Sequence, residues 1–148
     1  MRIIRLLFLT VCVIFPGPAA AQEPSFEPVG TIGELMIDII YPKSDELFYV
    51  LREPPTNDYE WNRLRGSALI LAESGNLLMM EGRSIDQDEW MNSARLLVNV
   101  GNAAFEAAAA HDLDAIVALN AELESSCRGC HEQYHPRYRR REQNPPDE

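Results

Sequence analysis

The chain has 148 residues, with 13 lysines and arginines against 23 aspartates and glutamates and a formal net charge of −10. Phosphate recognition needs a basic footprint, so this balance excludes nucleic acid as a partner class. The length suits one domain once any targeting segment is removed.

Such a segment opens the chain. Arg2 and Arg5 lead an almost wholly apolar run from Ile3 to Phe15, and Ala19, Ala20 and Ala21 follow as small residues before Gln22. This is the three-part pattern of a secretory signal. It is expected over residues 1–21, with one domain over 22–148 and a periplasmic or otherwise exported location. The apolar run is short for a membrane span, so no stable span is expected after cleavage; a retained N-terminal anchor is the alternative. Cys12 leaves with the signal, and so do Arg2 and Arg5, which makes the remainder two charges more negative. An acidic exported protein suits electrostatic docking on a basic partner, although solubility alone accounts for most of these charges.

After a leader containing Pro24, Pro28 and Gly30, Thr31 and Glu34 form a capping-box pattern. Ile32, Leu35, Met36, Ile39 and Ile40 then recur at helical spacing. Pro42 removes a backbone donor and is expected to kink or break this helix; Ser44 would start a second part, with Leu47, Phe48 and Leu51 on its apolar face. Pro54 to Asn57 is a break. Asn57 with Glu60 predicts another capping box, opening a long helix through Trp61, Leu64, Ala68, Leu71, Ala72 and Leu78 to about Gly82. Gly66 and Gly75 lower its propensity but permit close approach of a neighbouring helix or a cofactor. Ser84 and Gln87 predict a third cap, before a face of Trp90, Ala94, Leu97, Val98 and Gly101. Asp112 caps a fourth segment carrying Leu113, Ile116, Leu119, Asn120 and Leu123 toward Cys127. No strand pattern competes. Four amphipathic segments with short connections predict an all-α, antiparallel four-helix bundle.

Cys127 and Cys130 are the cysteines left outside the signal, and the run Cys127-Arg128-Gly129-Cys130-His131 has the spacing of covalent haem attachment. Positions three and four apart share a helix face, so both thiols can form thioethers to the vinyl groups of one haem while His131 presents an imidazole to its iron. Other readings of the same residues are a redox dithiol, a disulfide, or an incomplete zinc site that His111 or His135 would complete. A plain core histidine is the bland reading of His131.

With its attachment motif on the last of four helical segments, the chain resembles the class II cytochromes c, the group containing cytochrome c prime, over about residues 31–138. The resemblance implies one covalent haem c per chain on the C-terminal helix, with Cys127 and Cys130 as the thioether residues and His131 as the proximal ligand. Family members divide at the sixth iron position. Low-spin members place a methionine from the first helix there, and Met36 is the candidate, its bland reading being core filler; such a chain carries electrons to and from a redox partner protein. High-spin members leave that position open and bind small gases such as nitric oxide. A haem-bearing accessory subunit is a third reading, and the family also implies a possible homodimer. The Pro42 interruption and the Arg-rich end depart from the commonest members.

Met79, Met80 and Met91 read as packing rather than ligands. Trp61 and Trp90 suit the bundle core better than a porphyrin edge, and Arg65 suits solvent or a helix carboxylate better than a haem propionate. Tyr134 would cover the proximal side, and His135 would face solvent. Arg137, Arg139, Arg140 and Arg141 complement a helix C-terminus or form a solvated tail. No nucleophile–base–acid constellation or nucleotide-binding loop stands out, so no enzymatic activity is expected.

Overall fold

The computed structural model describes residues 26–135. The expected signal over 1–21 and the arginines from Arg137 to Arg141 lie outside these residues. The described chain is all-α, and its helices pack as a four-helix bundle.

The first bundle position is a composite of α1 (Ile32–Glu34), a π-helical segment (Leu35–Ile40) and α2 (Tyr41–Phe48). Thr31 and Glu34 form the expected capping box, with Thr31 N–H and Oγ1 both 2.8 Å from Glu34 Oε2. Pro42 does not break the chain. A normal helix would need its missing N–H and would press its ring on the carbonyl four residues back. Here the turn widens instead: Tyr41 N–H reaches five residues back to the Met36 carbonyl, and Pro42 falls in the first turn of α2, where no donor is required. Ser44 therefore lies inside a continuous helical path, its hydroxyl donating to the Tyr41 carbonyl at 2.9 Å.

A short 3₁₀ turn (Val50–Arg52) leads to α3 (Asp58–Leu78). Asn57 caps α3 by accepting from Glu60 N–H, but Glu60 turns to Thr56, one residue before the cap, so the box closes only on one side. The helix ends at Leu78, short of Gly82, which takes a left-handed φ of 83° in the following turn.

The start of α4 (Glu89–Ala109) differs from the expected Ser84–Gln87 cap. Asp86 does this work: its Oδ1 accepts from the backbone N–H of Asp88 at 2.9 Å and of Trp90 at 3.1 Å. The two long helices cross at glycine. A Cβ on Gly101 would lie 2.7 Å from Ala72 N, and one on Gly75 would lie 2.7 Å from the Ala94 carbonyl. Gly66, by contrast, faces open space.

Asp112 caps α5 (Leu113–Ala118) through Ala115 N–H. The fourth segment is then interrupted at Leu119 before α6 (Asn120–Tyr134). Leu35, Leu47, Leu71, Leu78, Trp90, Val100, Ile116 and Leu123 belong to one buried core fed by all four positions. Removing these side chains from water drives the packing against backbone ordering. Among the described residues no helix is long and apolar enough to cross a membrane.

Candidate functional site

Cys127, Cys130 and His131 sit on α6, and His131 lies in its last turn. They line one cleft with Met36, Ile40, Tyr41 and Ser44 of the first bundle position, Leu78 at the end of α3, Ser93, Ala94 and Leu97 of α4, and Ser126. The unfilled space is about 570 Å³, part of it open to solvent. Residues distant in sequence, Met36 and the attachment-like motif, thus meet at one place. The π-helical turn contributes to this, since Met36 lies in the widened segment that also admits Pro42.

The other candidates lie elsewhere. Met79 and Met91 pack against the core, and Met80 lines a separate groove beside Arg83. Trp61 stacks on His111, with centroids 4.8 Å apart, at the end of the bundle where α3 begins. Arg65 stands 5.8 Å from the Phe105 ring centroid and, among the described residues, makes no ion pair. Trp90 is only 3 % exposed and belongs to the core, with its indole N–H donating to the Leu78 carbonyl at 2.8 Å.

Both cysteines are free thiols. Burial pushes the Cys127 thiol up from its ordinary value, with the Glu124 carboxylate adding to this and the Ser126 hydroxyl opposing it. Burial likewise pushes Cys130 up, against a hydrogen bond from Ser93; Cys127, Glu89 and Asp86 push in the same direction as burial. Both groups are therefore protonated at neutral pH. Burial, and then the neighbouring His135, hold His131 below its ordinary value of 6.5. The ring is neutral at pH 7, the form that offers a nitrogen lone pair to a metal. Among the described residues no three His, Cys, Asp or Glu side chains converge as a metal-ion group.

Three contributors escape a sequence reading based on apolar periodicity. Gly129, inside the motif, has its Cα against α4: an added Cβ would lie 2.6 Å from Ser93 Oγ. Ser93 is buried and lines the cleft; a serine interrupting the Trp90–Ala94–Leu97 stripe was its only trace. Asp86 accepts a hydrogen bond from the Tyr134 hydroxyl as well as capping α4.

The chain matches no family model, no curated protein and no solved structure.

Proposed function

We propose that the protein is a monohaem c-type cytochrome that transfers electrons in the periplasm or another exported compartment. The observation that carries this reading is the cleft shared by Cys127, Cys130, His131 and Met36. The donor chemistry fits the group. Two thiols three residues apart share a helix face with an imidazole four residues from the first, and a thioether comes from a different helix. Ile40, Leu78, Ala94 and Leu97 give the cleft the apolar walls that a tetrapyrrole requires.

In this reading Cys127 and Cys130 would hold the group covalently, each as a thioether. The bound group supplies a reversible one-electron couple at iron. His131, held neutral at pH 7, would offer an imidazole nitrogen to the iron. Met36 would be a second candidate donor, a soft sulfur that would favour the reduced iron. The apolar walls limit water, and Gly129 lets α6 lie close to α4.

The test is an oxidised and reduced visible spectrum of the exported protein, with its mass measured after denaturation. A mass increase of one haem that survives denaturation, and is lost in Cys127→Ser/Cys130→Ser, is the expected result. A denatured mass equal to the bare chain overturns the reading. The same spectra separate electron transfer from gas binding: an iron with both axial positions filled supports the former, and an open position that rapidly binds carbon monoxide supports the latter.

A further inference from the structure

We propose that Asp86 and Tyr134 are positioning residues for the haem-binding turn, together pinning the last turn of α6 and thereby the orientation of His131. This rests on the haem reading for its functional meaning, although the clamp itself does not. The argument begins with the place of His131. It lies in the final turn of α6, and the helix stops at Tyr134, with His135 already extended at φ −83° and ψ 122°. Helix ends leave carbonyls without intrahelical partners and open more readily than helix centres. An axial ligand in such a turn inherits that looseness unless something outside the helix holds it.

Tyr134 supplies the external hold. Three residues beyond His131, its hydroxyl donates to Asp86 Oδ2. The other oxygen of the same carboxylate is fixed by the N–H groups of Asp88 and Trp90. Asp86 is therefore a fixed post rather than a swinging surface side chain. Trp90 completes the hold. Its ring meets the Tyr134 ring edge-on at 5.3 Å and 74°, while its own N–H is bonded to the Leu78 carbonyl. The ends of α3, α4 and α6 are thus joined through three side chains beside the cleft, and Leu78 lines that cleft. A helix cap alone would use Asp86 Oδ1 and would have no need of Tyr134.

The test uses the full exported chain and Tyr134→Phe, which removes one oxygen and leaves the ring and the Asp86 charge in place. Hydrogen exchange at the amides of residues 131–135 should quicken at least about tenfold, the lower end for loss of a hydrogen bond to a charged group, while exchange in α3 stays unchanged. In the haem-loaded protein the same substitution should shift the midpoint potential and the low-spin resonance signature. Asp86→Asn should give the same exchange effect, and Asp86→Asn/Tyr134→Phe should add nothing to it. Unchanged exchange overturns the proposal. Faster exchange with an unaltered potential and resonance signature also overturns it, because the contact is then structural only. Absence of haem from the unsubstituted protein instead overturns the haem reading, and the exchange measurement still reports on the clamp.

Discussion

Gly129 and Ser93 touch so closely that the glycine cannot acquire a side chain without moving its neighbour: an added Cβ would stand 2.6 Å from Ser93 Oγ, although 3.7 Å from Ser93 Cβ. The obstacle is thus the hydroxyl alone. Gly129→Ala forces that hydroxyl to turn away from Cys130 and Glu89, an overpacking cost of about 1–3 kcal/mol. Replacing glycine in a helix returns about 1 kcal/mol, so the net effect is a loss of about 1 kcal/mol. In a Ser93→Ala background the obstacle is gone, and Gly129→Ala should stabilise by about 0.5–1 kcal/mol. Urea unfolding of the unsubstituted chain and the three variants measures this reversal of sign. A loss of equal size in both backgrounds would show that the close approach is not the cause.

The sequence makes the four bundle positions legible because apolar spacing is a local signal, and the Thr31 and Asp112 caps are local as well. The placement of Cys127, Cys130 and His131 on one helix follows from the same arithmetic. Other features depend on partners distant in the chain. Asp86 is recruited by Tyr134, 48 residues away, and no short motif marks such a pairing; the Ser84–Gln87 spacing, which fits a capping box, lost to it. Pro42 leaves a kink and a break equally open in the sequence. A break is its usual effect in an isolated helix, but a π-helical turn keeps Leu35, Ile40 and Leu47 in the core on either side of it. Gly66 and Gly75 look alike in sequence, yet only Gly75 meets another helix.

Met36 reaches the cleft from the π-helical segment, and under the proposed haem reading its role would separate two kinds of chemistry. Met36→Leu conserves volume and polarity, so it should cost less than about 1.5 kcal/mol in stability. If the proposed haem is attached, it should stay so in this variant, since the thiols are untouched. Its iron should change from a low-spin to a high-spin signature and bind carbon monoxide rapidly. Optical and paramagnetic resonance spectra check this. A spin state unchanged by the substitution would make Met36 a packing residue, and high-spin iron in both proteins would favour the gas-binding reading.

Gly66 and Gly101 should respond to alanine in opposite directions. Gly66 lies within α3 with nothing near its would-be Cβ, so Gly66→Ala should stabilise by about 0.5–1 kcal/mol through helix propensity. Gly101 faces the backbone of Ala72, where the Cβ would stand 2.7 Å from the nitrogen and 2.8 Å from Cα. Backbone cannot rotate aside, so the helices must separate. A loss of about 1–3 kcal/mol is expected from overpacking, and parallel thermal and urea melts read both.

The Asp86–Tyr134 contact also predicts where in pH the chain should respond. The Tyr134 hydrogen bond is the largest influence holding the Asp86 carboxyl below its ordinary 3.8; burial opposes it, and the Trp90 and Asp88 N–H groups add to the lowering. For an acid whose folded value is depressed, the stabilisation is complete above the unfolded value and disappears as pH falls through the folded one. Tyr134 is pushed up from 10.0 to about 12, by burial first and then by Asp86. A phenol raised on folding stabilises fully below pH 10.0 and loses that contribution as pH rises through about 12. The clamp therefore operates undiminished between these two limits. Tyr134→Phe should lower stability by a constant amount across that window, and its difference from the unsubstituted chain should shrink at both extremes. Unfolding midpoints followed from acid to alkali test this, and a difference that grows toward either extreme would contradict the assigned hydrogen bond.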